Sequence, residues 1–173
     1  MTHEERVAAF DRLRARYLRL LTAVLWKLSG DRELFAEAMQ YALLGLWRHV
    51  EKLEGAKAAR YLYRIALSAS AKAWRQRIGR NGDIAGMPIA PDKCPETQVR
   101  QADLVAQVRW TVSRLPEKQG RAVVMRYLEQ KDYRTIAECL GCSEATARSH
   151  VSKAVATLRS RLAAKQEQDH GEG

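Results

Sequence analysis

The stretch from Tyr133 to Leu162, YRTIAECLGCSEATARSHVSKAVATLRSRL, constrains the fold of this chain more than any other. Its apolar residues recur at helical spacing on both sides of the turn Leu140-Gly141-Cys142-Ser143, which predicts a short amphipathic helix and then a longer one that starts near Glu144. Gly141 can adopt the left-handed conformation that ends the first helix, and Ser143 is a good N-cap for the second. Two helices joined by so short a turn form a helix-turn-helix, whose second helix can lie in the major groove of DNA.

The outward side of that second helix is polar and cationic. Its buried row is predicted to contain Ala147, Val151 and Ala154. The residues on the other side are Thr146, Arg148, Ser149, Ser152 and Lys153. A charged helix face is most often simply solvated, but the chemistry of the turn and the apolar first helix favour contact with DNA.

The rest of the chain also has helical periodicity. Three amphipathic helices are predicted in the first eighty residues, the first ending at Ser29-Gly30 and the second capped by Asp31. Two more helices, from Gln98 and from Pro116, are expected to support the helix-turn-helix, with Tyr127 facing inward.

Between these two groups of helices the composition changes. Residues 79–97 contain three of the four prolines of the chain, which predicts a flexible linker at 81–97. We therefore expect an all-α chain of two small, separately folded helical domains, 1–80 and 98–164, followed by a polar tail at 165–173. The helix-turn-helix belongs to the C-terminal domain.

The positive charge of the chain is concentrated before the linker. The formal net charge is +10, and the first eighty residues contain 16 basic and 8 acidic side chains. A basic excess of this size favours a polyanionic partner such as nucleic acid. Because most of the excess lies outside the helix-turn-helix, a second anion-binding surface is predicted upstream.

The third helix carries the best candidate for that surface. Arg64, Ser68, Lys72 and Arg75 lie at offsets of 4, 8 and 11, and Trp74 is a planar ring near them. Basic groups interleaved with aromatic rings can hold a single strand by combining phosphate attraction with base stacking. Aromatic residues on helices are more often core residues than stacking platforms, so burial of Trp74 in the core is the alternative to contact with the strand.

Several classes of function are disfavoured. No apolar run has the length of a membrane span, so we expect a cytoplasmic protein without membrane insertion. Cys139 and Cys142 form a CxxC, but Cys94 and His150 do not have the spacing to complete a site, which favours buried thiols over metal or redox chemistry. No catalytic constellation is present, so neither enzymatic activity nor a cofactor is predicted.

Taken together, residues 6–162 resemble a sigma-70 family sigma factor of the short extracytoplasmic-function (ECF) type, which keeps only regions 2 and 4. The resemblance to region 4 is carried by Leu115-Pro116-Glu117, Arg126-Tyr127-Leu128, Ile136-Ala137, Leu140-Gly141 and Leu158-Arg159. The resemblance to region 2 is carried by Gly30-Asp31, Gln40, Trp47-Arg48 and the run from Leu62 to Ala66.

This resemblance implies a function and a set of partners. The chain would bind core RNA polymerase, direct it to promoter DNA and be held by an anti-sigma factor. Region 4 would recognise the minus-35 element through Thr146, Arg148, Ser149, Ser152 and Lys153. Region 2 would capture the minus-10 strand through Arg64, Ser68, Lys72, Trp74 and Arg75, and would contact polymerase through Glu33, Glu37, Gln40 and Trp47.

The sequence departs from the family pattern at a few of these positions. Leu34, Phe35 and Ala36 replace much of an acidic cluster that faces polymerase, and Tyr41 stands where Glu is usual. Ser68 stands where Asn is common and Lys72 where Asp is common. The departures imply a remodelled polymerase contact and either a different minus-10 preference or weaker melting.

Two other functions fit part of the sequence. One is a conventional helix-turn-helix regulator whose N-terminal half is a sensor or dimerisation module. The other is a degenerate sigma-like protein that docks on polymerase without opening promoters. The basic stripe on the third helix disfavours the first of these alternatives, and the departures on the second and third helices favour the second.

Overall fold

The computed structural model describes residues 1–53, 58–81 and 96–171, with side chains for all of these except residues 59, 81, 96–100 and 165–171. Within these ranges every regular element is helical, which confirms the predicted all-α fold. The elements are α1 (His3–Ser29), α2 (Arg32–Arg48), α3 (Val50–Leu53), α4 (Ala58–Asn81), α5 (Glu96–Ser113), α6 (Glu117–Val123), a π-helical turn (Val124–Leu128), α7 (Tyr133–Leu140) and α8 (Glu144–Gly171).

In the first half of the chain, α1, α2 and α4 pack into a bundle. Helix α1 ends at Gly30, which has a positive φ of 85°, as glycine allows. The carboxylate of Asp31 then accepts a hydrogen bond of 2.9 Å from the backbone N–H of Leu34 and so begins α2, as predicted. The core of the bundle contains fully buried leucines, among them Leu25 and Leu46.

In the second half, α6 and α7 pack against α8. Helix α7 ends at Gly141 in the left-handed conformation, and the Ser143 hydroxyl accepts a hydrogen bond of 3.1 Å from the backbone N–H of Thr146. The helix-turn-helix therefore has the predicted caps. The prediction that Tyr127 faces inward is wrong, because Tyr127 is 61% exposed. It lies in the π-helical turn, whose wider spacing rotates the side chains that follow away from α-helical positions.

The two halves also pack on each other. The ring of Trp74 in α4 lies 6.2 Å from that of Trp110 in α5, and the buried cluster continues from one half into the other. The sequence contains no pattern that predicts this contact. Most of the predicted linker, at 82–95, lies outside the described residues, and the backbone of α8 continues to Gly171, beyond the expected domain end at 164.

Candidate nucleic-acid interfaces

The first candidate interface is the outer side of α8. Ala147, Val151 and Ala154 are buried against the rest of the second half. The five residues predicted to contact the minus-35 element are all exposed on the opposite side, namely Thr146, Arg148, Ser149, Ser152 and Lys153. The structure therefore brings the whole predicted set together on one accessible surface.

Arg148 is the most strongly positioned residue of this surface. Its guanidinium lies 4.2 Å from the ring centroid of Tyr133, the first residue of α7, and 4.0 Å from the carboxylate of Glu144. Arg126 approaches the same ring, at 4.8 Å. Such a cation–π contact limits the motion of a side chain that is still 60% exposed. This contact of Tyr133 could not be predicted, since nothing in the sequence pattern indicates which side chain its ring touches.

The second candidate interface is the outer side of α4. Arg64, Ser68, Lys72 and Arg75 are exposed there, as the helical spacing predicts. Arg64 also forms an ion pair of 3.5 Å with Glu117 in the second half of the chain. These four side chains give α4 a surface with three cations and one hydroxyl.

Trp74 does not share this surface. It is fully buried, and its indole Nε1–H donates a hydrogen bond of 3.2 Å to the backbone carbonyl of Leu28. Its ring also packs against that of Trp110 in α5. In this arrangement Trp74 is a core residue that joins the two halves, and it is open to a strand only if α5 moves away.

A cleft lies beside the exposed surface of α4. It has a volume of about 330 Å³ and is enclosed by α2, α3 and α4. Its lining residues are Tyr41, Leu44, Gly45, Arg48, His49, Lys52, Tyr61, Arg64, Ile65, Ser68, Ala69 and Lys72. Three of the predicted strand contacts, Arg64, Ser68 and Lys72, thus line one concave site.

The residues predicted to contact polymerase lie along α2. Glu33 and Gln40 are exposed, whereas Glu37 is half-buried and ion-paired with Arg80. Glu33 is also 3.6 Å from Arg77, whose pKa is raised by its hydrogen bond to Asp31 despite the opposing effect of burial.

Trp47 is at the far end of α2. Its ring makes an edge-on contact with Phe10, at 5.5 Å between centroids, and is covered by the guanidinium of Arg6 at 5.0 Å. The four residues therefore do not form one continuous patch, because Trp47 is held against α1.

The thiols of the CxxC are partly buried and unlinked. Cys139 lies 3.7 Å from the guanidinium of Arg121, which also donates to the Cys139 carbonyl over 3.0 Å. Within the described residues no three His, Cys, Asp or Glu side chains come together as metal ligands, and Cys94 lies outside them. No helix in the same part of the chain is both long and apolar enough to cross a membrane.

Comparison with known proteins identifies both halves. The family model for Sigma-70 region 2 matches residues 13–78, and that for Sigma-70 region 4 matches residues 107–158. The chain is 27% identical over 167 residues to an ECF RNA polymerase sigma-E factor of Haemophilus influenzae, with 89% of this chain and 87% of that protein aligned. It is 30% identical over 122 residues to an RNA polymerase sigma-E factor of Streptomyces coelicolor, with 70% and 66% aligned.

The chain therefore belongs to the sigma-70 family, as an ECF sigma factor with regions 2 and 4. The resemblance predicted from the sequence is confirmed. As a sigma factor, the protein is a DNA-binding transcription initiation factor that directs RNA polymerase to promoters. The match of region 2 to residues 13–78 disfavours the alternative in which the N-terminal half is a sensor or dimerisation module.

Proposed function

We propose that this sigma factor recognises the minus-35 element with α8 and captures the minus-10 strand with α4, without catalysing a reaction of its own. The observation that carries the proposal is the exposure of two separate polar and cationic surfaces, one on each helix. Arg148 and Ser149 would contact base edges, because they project from the front of α8, and Lys153 would contact a phosphate. Along α8, Thr146 precedes these two residues and Ser152 follows them.

On α4, Arg64, Ser68, Lys72 and Arg75 would hold the single strand. Their exposure supports direct contact in the arrangement described above. A contact between the strand and Trp74 requires α5 to leave first, because Trp110 packs against that ring. Trp74 would therefore contact the strand only in the opened chain.

The distance between the two promoter elements supports such an opening. Elements centred roughly 25 base pairs apart, at about 3.4 Å per base pair, are separated by roughly 85 Å. A compact chain of this length has a radius of gyration of only about 16 Å. The fourteen residues between Asn81 and Glu96 can span up to about 50 Å when extended, so the connection is long enough for the halves to separate. The packed arrangement would then belong to the free chain.

For core RNA polymerase we propose the exposed side of α2 as the contact. Glu33 and Gln40 are accessible there without rearrangement. Glu37 would have to exchange its ion pair with Arg80 for a partner on polymerase. Trp47 would act by holding the end of α2 against α1.

We also propose that the protein works in the cytoplasm, where its polymerase is, under the control of an anti-sigma factor. The support for both is the family membership alone. Co-purification of the tagged full-length chain from its native cell, before and after stress, would test for such a partner. Recovery of the chain with polymerase alone under all conditions would count against an anti-sigma factor.

In vitro transcription with core enzyme tests the proposed function. The reconstituted complex should initiate at promoters that neither component uses alone. Arg148→Ala should weaken initiation in proportion to its loss of minus-35 binding, whereas Arg161→Ala, on the same helix but thirteen residues further along, should not. A chain that binds duplex DNA and ignores polymerase would contradict the proposal.

A second candidate is a sigma-like protein that docks on polymerase without opening DNA. The observation that favours it is the engagement of the strand-binding helix within the chain itself, through the ion pair of Arg64 with Glu117 and the burial of Trp74. Permanganate footprinting separates the two candidates. Reactive thymines near the minus-10 element would support strand capture, and their absence in a stable polymerase complex would support the second candidate.

A further inference from the structure

The cleft between α2, α3 and α4 has an unusual charge composition. Twelve of the residues that the structure describes line it, and among these are four lysines or arginines, one histidine and two tyrosines but no carboxylate. Arg48 and Lys52 come from the α2 and α3 side, and Arg64 and Lys72 from the α4 side. A cleft with cations on both walls attracts a phosphodiester, and half-buried rings such as those of Tyr41 and Tyr61 can present an edge or a face to a base.

One of these cations is held in a defined position. The ammonium of Lys72 lies 4.1 Å from the ring centroid of Tyr41, and the Tyr41 hydroxyl is hydrogen-bonded to Gln76 Oε1 on α4. The ring is thus anchored across the gap between α2 and α4, and it fixes the direction of a lysine that would otherwise sample many rotamers. Tyr41 and Lys72 are also two of the positions at which the sequence departs from the family pattern, and here they contact each other.

The chemistry of Lys72 sets a preference among bases. An ammonium group can only donate hydrogen bonds. On the edge that faces the major groove in a duplex, guanine and thymine present carbonyl oxygens, whereas adenine and cytosine present amino groups in the corresponding place. A lysine fixed at the wall of the cleft can therefore donate a hydrogen bond to guanine or thymine. On adenine or cytosine it meets an amino group, which is itself a donor.

We propose that Lys72, positioned by Tyr41, selects thymine or guanine over adenine or cytosine at the one position of the captured strand that lies in the cleft. Arg48 and Lys52 are then phosphate contacts that add to those on α4. The proposal rests on the proposed capture of the minus-10 strand by α4. The inference goes beyond strand capture because it names the residue that discriminates between bases, the residue that positions that side chain, and the class of base selected.

The test uses holoenzyme and fluorescent single-stranded oligonucleotides that carry the non-template minus-10 sequence. Each position is replaced in turn by all four bases, and affinity is measured by anisotropy. At one position thymine and guanine should bind roughly tenfold more tightly than adenine and cytosine. Lys72→Met should abolish this preference, and Lys72→Asp should reverse it toward the amino bases.

Variants of the neighbouring residues separate the roles. Tyr41→Phe should keep the preference because the ring remains, Tyr41→Leu should reduce it, and Arg48→Met should weaken binding equally for all four bases. Arg19→Met, an exposed charge on α1, serves as the control and should change nothing. Binding of a minus-35 duplex by each variant checks that the chain is folded.

Two results would overturn the inference while leaving the proposed function intact. One is a base preference that Lys72→Met does not change. The other is an equal loss of affinity for all four bases in that variant, which would make Lys72 a phosphate contact. Failure of the wild-type holoenzyme to bind any oligonucleotide would instead contradict the proposed strand capture, and the inference with it.

Discussion

The side chain of Arg60, near the start of α4, donates a hydrogen bond of 2.9 Å to the backbone carbonyl of Cys139, near the end of α7. The reciprocal contact joins the same halves at another place, where Arg109 of α5 donates over 2.9 Å to the carbonyl of Lys27, near the end of α1. Each half therefore caps a helix C-terminus of the other half with a cation. A guanidinium at this end satisfies carbonyls that lack helical partners and interacts favourably with the helix dipole.

Glycine at both helix ends makes these contacts possible. Gly30 and Gly141 have positive φ angles of 85° and 66°, and a Cβ atom at either would overlap the guanidinium of Arg109 or of Arg60. The two positions are thus restricted by backbone conformation and by the close approach of an arginine. The same residues that end α1 and α7 leave room for the opposite half to bind.

Removal of both arginine caps should open the free chain. Arg60→Met combined with Arg109→Met removes two charge-assisted hydrogen bonds, each worth about 1–2 kcal/mol at such partly exposed sites. We expect a larger radius of gyration by small-angle scattering and faster proteolysis between α4 and α5. The helical content should not change.

The control for this experiment is Arg19→Met combined with Arg161→Met, which also removes two positive charges but at exposed sites on α1 and α8. Unchanged dimensions in the variant that lacks both caps would show that the apolar contacts, such as Trp74 with Trp110, hold the halves together. An opened chain that binds core polymerase more tightly than wild type would support the proposed separation of the halves on promoter binding.

Replacement of Tyr133 should weaken recognition of the minus-35 element. The guanidinium of Arg148 lies 4.2 Å from the centroid of this ring. When the ring is removed, Arg148 loses the contact that limits its motion. Tyr133→Leu should cost about 1 kcal/mol, or about fivefold in affinity for a minus-35 duplex. Tyr133→Phe keeps the ring and should bind like wild type. Equal binding by the Leu and Phe variants would refute a positioning role for the ring.

The ion pair of Asp31 with Arg77 should make stability depend on acid pH. Burial by itself would raise the pKa of Asp31, but its hydrogen bonds with Arg77 and with the backbone N–H of Leu34 outweigh burial and hold the pKa below the ordinary value of 3.8. Because the folded-state pKa is the lower one, the stabilisation is present above the unfolded-state pKa of about 4. It is lost as the pH falls through the folded-state pKa.

Asp31→Asn tests this dependence. Asparagine still caps α2 but carries no charge, so at pH 7 the variant should be less stable by about 1 kcal/mol, a modest value because the carboxylate is 43% exposed. In urea denaturation the difference from wild type should shrink below pH 4. A difference that stays constant from pH 7 to pH 2 would exclude the carboxylate as its cause.

The features that the sequence predicted are those that depend on near neighbours along the chain. Asp31 and Ser143 begin helices because their side chains bond backbone groups three residues away. The exposed side of α8 follows from helical spacing alone. In contrast, the cap that Arg60 makes on Cys139 joins residues 79 positions apart, and the pair of Lys72 with Tyr41 depends on how α2 and α4 pack. Periodicity identifies a buried face but not its partner, so it cannot place Trp74 against α5.

The packing of Trp74 against Trp110 should report the separation of the halves. Their ring centroids are 6.2 Å apart, and Trp74 is fully buried between the carbonyl of Leu28 and α5. If α5 leaves α4 when core polymerase binds, Trp74 becomes hydrated and its emission shifts to longer wavelength. The chain would carry 5-hydroxytryptophan at positions 74 and 110 only, so that its fluorescence is distinct from that of polymerase.

Two further samples show whether the emission shift comes from Trp74. Trp74→Phe in the labelled chain leaves Trp110 as the sole probe, so the shift due to Trp74 is obtained by difference. The free chain with both arginine caps removed should show part of the same shift without polymerase. Emission that is identical in free chain and holoenzyme would mean that α4 and α5 stay packed on polymerase, and Trp74 would then be a structural residue with no part in strand capture.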